Sequence, residues 1–256
     1  MQRQRAPSKV PEVTLGFWII KIFATTLGET GGDALSMSLG LGYLLSTAIF
    51  TGVFAAAVAA QIRASRFHPL LYWIAVIATT TVGTTLADFA DRSLGIGYAG
   101  GAGILSLLLL ASLFTWYRVL GSVSVDTVSS TRSEVFYWIT IMFSQTLGTA
   151  LGDWTADSMA MGYLGSAGIF GALLLPIGAA YLWTGVSRTL LFWAAFVLTR
   201  PLGAVIGDLL DKPVNHGGFA LSRYAASLVL LGLILLCIAL FRQRPAGGGR
   251  GTVRAE

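Results

Sequence analysis

The sequence predicts an all-α membrane protein of eight transmembrane helices, built from four parallel two-helix repeats and arranged as two four-helix halves. Three observations predict it: a shortage of charge, eight apolar runs of spanning length, and a motif that recurs four times. Of 256 residues, 55% are hydrophobic and 11% are charged, whereas a soluble domain carries about 25% charged residues. Most of the surface therefore does not face water, and the lipid bilayer is the expected partner. The net charge of +5 is dispersed among apolar runs rather than gathered in a patch, so no nucleic-acid partner is expected.

Taken in order, the apolar runs cover residues 14–36, 43–62, 70–91, 97–117, 134–156, 162–183, 189–210 and 221–241. Each approaches the roughly 20 residues that cross about 30 Å of hydrocarbon. The first run is too long for a signal-peptide core and continues into Gly28-Glu29-Thr30-Gly31-Gly32-Asp33 rather than a cleavage site, so no cleavable leader is expected. The second helix of each pair is nearly free of Lys and Glu. The transmembrane domain is thus residues 14–241, with repeats at about 14–62, 70–117, 134–183 and 189–241. Residues 1–13 form a basic, loose N-terminus. Residues 242–256 form a polar, Gly-rich tail expected to be disordered.

Basic residues set the orientation. Twelve of them (Arg3, Arg5, Lys9, Arg63, Arg66, Arg118, Arg132, Arg188, Arg242, Arg244, Arg250 and Arg254) fall at the termini or in loops on the same side, and three (Arg92, Lys212, Arg223) fall on the other. Positive charge concentrates on the cytoplasmic side, so a bacterial inner membrane with both termini cytoplasmic is predicted.

The repeat is aligned on Trp18, Trp73, Trp138 and Trp193. Ten residues on stand Gly28, Gly83, Gly148 and Gly203. Fourteen on stand Gly32, Ala87, Gly152 and Gly207, and fifteen on stand Asp33, Asp88, Asp153 and Asp208. Twenty-four on, every copy has glycine again: Gly42, Gly97, Gly162 and Gly217. Copies one and three, and copies two and four, are each offset by 120 residues, which points to two halves. A two-helix unit returns the chain to its starting side, so the copies are parallel, not inverted.

Gly-x-x-x-small lets helix backbones approach closely in lipid. Gly28, Gly32, Gly83, Gly148, Gly152, Gly203 and Gly207 are therefore the predicted packing seam, against another odd-numbered helix or the hairpin partner. The four Trp residues sit where interfacial aromatics belong.

The aspartates carry the chemical question. Each lies fifteen residues beyond its Trp, or about 22 Å along a helix, in the outer half of the membrane. An ionised carboxylate there needs protein, water or a cation around it. Lys21, Thr25, Glu29 and Asp33, spaced by four, share one helix face. The same face reads Thr80, Thr84, Asp88, then Gln145, Thr149, Asp153, then Arg200, Ala204, Asp208. Arg200 wants an anionic partner, for which Glu29 is the best candidate; Lys21 is a charge partner or snorkels to the interface. Five acids against these two bases leave an excess of negative charge. Oxygen ligands of this kind suit a hard cation such as Mn²⁺, Ca²⁺ or Mg²⁺. Glu29 and Asp33 are the predicted main ligands or proton carriers, completed by Asp88, Asp153 and Asp208. Alternatively, the aspartates cap loops at the outer face.

Other chemistry finds little support. No Walker loop is present, so ATP hydrolysis is not expected. One cysteine, Cys237, and two distant histidines, His68 and His216, argue against a zinc site. No histidine lies at membrane depth to complete a catalytic triad. The chain is not expected to be an enzyme or to hold a cofactor, apart from a transported divalent cation.

Lys21-Ile-Phe-Ala-Thr-Thr-Leu-Gly-Glu-Thr-Gly-Gly-Asp33 and Gln145-Thr-Leu-Gly-Thr-Ala-Leu-Gly-Asp153, with their companions over about residues 10–241, resemble a bacterial family of membrane-anchored proteins. That family is built from a repeated two-helix transmembrane unit of unknown function. The resemblance implies fold and location. Glu29-Thr-Gly-Gly-Asp33 is also similar to the Glu-x-Gly-Asp motif of manganese/calcium–proton exchangers. Its spacing is one residue longer, and those exchangers have inverted repeats, so this likeness bears on chemistry rather than ancestry. A secondary transporter or permeation pathway for a small hard cation, with or without proton coupling, is the leading expectation. A non-transporting anchor or regulatory module is the alternative, and a lipid-acting membrane enzyme a third class.

Overall fold

The computed structural model describes residues 7–247, and eight α-helices account for most of them. They are α1 (Leu15–Asp33), α2 (Gly42–Arg63), α3 (Pro69–Asp88), α4 (Tyr98–Leu120), α5 (Thr131–Asp153), α6 (Gly162–Trp183), α7 (Arg188–Asp211) and α8 (Arg223–Leu240). The apolar runs overlap these helices, and hydroxyl side chains mark where several of them begin. Thr14, Ser130, Ser187 and Ser222 each accept a hydrogen bond from a first-turn amide. Among the described residues there is no β-strand, only an isolated bridge between Pro11 and Pro245.

The repeat dictates local backbone as well as packing. Immediately after Asp33, Asp88 and Asp153 the helix widens into a five-residue π-turn: Ala34–Ser38, Phe89–Ser93 and Trp154–Ser158. In the fourth copy α7 instead runs on to Asp211. The later glycine of every copy has positive φ: 72° at Gly42, 75° at Gly97, 63° at Gly162 and 85° at Gly217. A side chain there would strain the turn between paired helices.

The odd-numbered helices form a closed ring: α1 packs on α3 and α7, and α5 packs on the same two. Each even helix covers the first helix of the next copy: α2 lies on α3, α4 on α5, α6 on α7, and α8 closes the circle on α1. Two four-helix halves were expected; α3 meets α5 as α1 meets α3, and the packing follows a pseudo-fourfold ring. The predicted seam explains why. The first glycine of each copy receives the side chain or backbone of the next ring helix: Gly28 faces Thr80, Gly83 faces Gln145, Gly148 faces Arg200, and Gly203 faces Thr25. A Cβ added at Gly83 would stand 2.9 Å from the Gln145 carbonyl carbon. Gly32, Gly152 and Gly207 likewise face Thr84, Ala204 and Glu29. The glycines serve contacts between copies, rather than contacts within a hairpin.

Among the described residues, six helices are long and apolar enough to cross a membrane: α2, α3 with its π-turn, α4, α6, α7 and α8. The even ones present exposed leucines outward, among them Leu44, Leu107, Leu164 and Leu228. The chain is an integral membrane protein by this pattern.

Two expectations change. Trp73, Trp138 and Trp193 are buried, not set at a lipid boundary. They join Phe17, Tyr72, Tyr137 and Phe192 in an aromatic cluster at one end of the ring. There the Tyr72 and Tyr137 hydroxyls lie 2.6 Å apart, and the Trp193 indole donates to the Val123 carbonyl. The chain ends are also firmer than composition predicts. Ser8, Lys9 and Val10 are buried. The Glu12 amide donates to the Arg244 carbonyl and the Ala246 amide to the Val10 carbonyl, each at 2.8 Å. Lys9 meets Glu134 at 2.7 Å. Main-chain pairing thus ties Arg244 and Ala246 to the N-terminal segment, while 248–256 of the predicted disordered tail, and residues 1–6, lie outside the described residues.

Candidate functional site

The polar stripes of α1, α3, α5 and α7 all face into the ring. At its middle level Arg200, fully buried, extends from α7 and reaches the other three ring helices. Its Nη1 and Nη2 donate to Glu29 Oε2 of α1, both at 3.2 Å. Its Nη2 also donates to Thr84 Oγ1 of α3 at 2.7 Å and to the Thr149 hydroxyl of α5. Thr84 in turn donates to Glu29 Oε2 at 3.1 Å. The position that holds Thr25, Thr80 and Gln145 in the other copies is occupied by arginine only in the fourth, so one guanidinium fills a place for which the ring has no symmetry-related counterpart. Such a buried pair is supported by hydrogen bonds from α1, α3 and α5, although the Arg200 Nε has no partner among the described residues.

About two helical turns beyond that level lie the four repeat aspartates, all buried. They divide into two pairs, each bridged by one cation. Arg92 Nε meets Asp88 Oδ1 at 3.0 Å and its Nη2 meets Asp153 Oδ2 at 3.4 Å. Lys212 Nζ contacts Asp33 Oδ2 and lies 3.1 Å from Asp208 Oδ1. These bridges are related by the 120-residue offset: Asp88, Arg92 and Asp153 correspond to Asp208, Lys212 and Asp33. Arg223 adds a contact to the second pair, 3.0 Å from Asp211 Oδ2 and 3.8 Å from Asp33 Oδ2. Burial works against the Lys212 charge, but Asp208, Asp33 and Asp211 outweigh it and hold its pKa above the usual lysine range.

The predicted residues therefore gather, though not as one chelate. Glu29 and Arg200 pair as anticipated. Glu29 does not join Asp33 as a ligand pair, because Arg200 and Thr84 turn its carboxylate toward the ring centre. Among the described residues, the three carboxylates close enough together to share an ion are those of Asp33, Asp208 and Asp211, whose oxygens lie within 4.8 Å of one another. Asp88 and Asp153 belong to the other bridge. Lys21 is fully buried and does not snorkel. It donates to the Phe196 carbonyl at 3.2 Å and to Thr199 Oγ1 at 2.9 Å, and its ammonium lies 3.9 Å from the Phe196 ring centroid. Two turns short of Glu29 on α1, it reaches no carboxylate among the described residues. Nor do Asp33, Asp88 and Asp153, where the π-turns begin, make side-chain cap hydrogen bonds.

Sequence reasoning missed Arg92, Lys212 and Arg223 as site residues. The signal was present, since Asp88 with Arg92 and Asp208 with Lys212 are four-residue pairs on one helix face.

The comparisons with known proteins agree with the repeat and stop there. No curated protein and no solved structure matches the chain. The chain belongs to the family described as Repeat of Unknown Function (DUF347), which it matches four times, at residues 16–67, 71–121, 136–187 and 191–244.

Proposed function

For a member of a family defined by its repeat alone, we propose a secondary transporter or permeation pathway for a small hard cation, proton-coupled or not, in a bacterial inner membrane. In this reading all eight helices span. α1 and α5 carry too many polar residues to be recognised by hydropathy, yet they occupy the same ring as α3 and α7 and are enclosed by the same lipid-facing helices. Both termini are cytoplasmic, by the twelve-to-three distribution of basic residues. The aspartate level then lies toward the outer face.

One observation carries the reading. At the aspartate level five buried carboxylates (Asp33, Asp88, Asp153, Asp208, Asp211) face three cations (Arg92, Lys212, Arg223), while deeper in the ring Glu29 pairs with Arg200 and Lys21 is buried without a carboxylate among the described residues. An excess of buried negative charge at one level calls for protons or a bound cation. The lack of cap hydrogen bonds from the aspartates at the π-turns speaks against purely capping roles. A second reading, a non-transporting anchor or regulatory module, draws on the internal pairing of Arg200 and Arg92, which rigid packing alone would also produce. Proteoliposomes loaded with a fluorescent indicator separate the two. Mn²⁺ or Ca²⁺ entry, with or without a pH gradient, is expected for the native chain and should be lost in Asp208→Asn. Undiminished entry in that variant, or no entry of either ion in the native protein, would overturn the transport reading.

A further inference from the structure

The two aspartate bridges are alike in sequence position but differ in what they could hold. In one, a guanidinium engages Asp88 and Asp153. In the other, an ammonium engages Asp208 and Asp33, and the third carboxylate, Asp211, has been drawn in. Asp91 is the counterpart of Asp211 at the 120-residue offset. Its carboxylate instead turns to Gly101 of α4, where a Cβ would collide with it. The result is one cluster capable of holding a cation, and it forms on the lysine side.

We infer that Lys212 is a tethered counter-ion seated in a divalent-cation site, and that a divalent cation binds Asp33, Asp208 and Asp211 by displacing its ammonium. The choice of ligand rests on the cation reading above; the displacement does not depend on transport. Oxygens on one hard cation lie at most about twice a bond length apart, or roughly 4–5 Å. The three carboxylates already meet that limit, with oxygens within 4.8 Å of one another. Among the described residues, Asp33 and Asp211 each have an Oδ1 that accepts no hydrogen bond, and Asp208 Oδ1 has only the Lys212 ammonium, 3.1 Å away; the three residues are 1%, 7% and 2% exposed. Buried anionic oxygens without donors are costly, and a metal ion would satisfy them together. Two single charges, from Lys212 and Arg223, serve these three acids.

Lys212 can leave. It follows the last residue of α7 in extended conformation, with φ −70° and ψ 153°, and its side chain is 11% exposed. A lysine is a point charge on a flexible stem. A guanidinium such as that of Arg92 holds two acids through a rigid fork. The ammonium therefore marks an exchangeable place and the guanidinium a permanent one.

The test is equilibrium binding of Mn²⁺ to purified protein in detergent, with free Mn²⁺ followed by electron paramagnetic resonance. Lys212→Met should bind one Mn²⁺ per chain at least tenfold more tightly than the native protein. Lys212→Arg should show no gain, and Asp211→Asn added to Lys212→Met should remove it. A folded Lys212→Met variant that binds no more tightly than native protein would overturn the inference. If that variant does not fold, the native chain still decides. Mn²⁺ should raise acylation of Lys212 by acetic anhydride several-fold, read by mass spectrometry, and leave Lys9 unchanged. Unchanged Lys212 reactivity would refute displacement. Tightened binding without flux in liposomes would reject the transport reading alone. Flux without tightened binding would reject this inference alone.

Discussion

Arg200 grips a single oxygen of Glu29 with both terminal nitrogens, each 3.2 Å away, across 171 residues of sequence. Neither side chain has meaningful contact with solvent. Removing one partner leaves the other charge buried without a counter-ion, a loss that typically costs about 3–5 kcal/mol. Arg200→Gln and Glu29→Gln should therefore each lower the melting temperature of the detergent-solubilised protein. The double variant should melt well above the value expected from adding the two losses. Additive losses would show that the pair is not coupled. The geometry also warns against reading Glu29→Gln as a change to a cation ligand alone, since it strips Arg200 of its carboxylate.

That pair was legible in the sequence because two unusual residues stood on equivalent stripes at membrane depth. The glycine seam was legible for a similar reason: a spacing kept in four copies needs a shared cause. The ring closure was not. Spacing along one helix says nothing of whether α2 packs on α1 or on α3, or that α7 and α8 return to pack on α1, where Gly203 meets Thr25 and Gly207 meets Glu29. Arg92, Lys212 and Arg223 were read as the few basic residues on the outer side and hence as topology markers. The pairing of Lys212 and Arg223 with Asp33 depends on that closure, which brings Asp33 to Lys212 over 179 residues, and that of Arg92 with Asp153 on the packing of α3 against α5. The burial of Trp73, Trp138 and Trp193 escaped notice because an aromatic at a helix start suits an interface and a core equally well.

The seam makes a direct prediction. Gly148→Leu and Gly203→Leu should sharply reduce the yield of folded protein, because Gly148 seats the Arg200 stem and Gly203 seats Thr25. Overpacking costs about 1–3 kcal/mol where neighbours can shift, and here each neighbour belongs to an adjacent ring helix. Gly52→Leu is the control: it lies within α2, and an added Cβ there meets nothing within 4 Å. Size-exclusion profiles of fluorescent fusions would report all three. Equal monodisperse yields would mean that the ring helices do not pack through these glycines.

The remaining prediction concerns which face is which. The backbone pairing of Glu12 with Arg244 and of Lys9 with Val128 puts the chain ends and the loop joining α4 to α5 on one side. The turn at Val214–His216 follows α7 and so lies at the opposite end of the ring. The distribution of basic residues assigns the first side to the cytoplasm. The single cysteine, Cys237, makes this easy to examine, since Cys237→Ser gives a background free of thiols. In that background Asp126→Cys and Asn215→Cys each place a thiol at an exposed position. A membrane-impermeant maleimide should label Asn215→Cys in spheroplasts, where the outer face of the inner membrane is open to the reagent. Asp126→Cys should react only after the membrane is broken. Their reversal would turn the protein over, placing the Asp33–Lys212–Asp208 bridge at the cytoplasmic face. A cation pathway would then be entered from within the cell, and the flux experiments would need the gradient applied in the opposite direction.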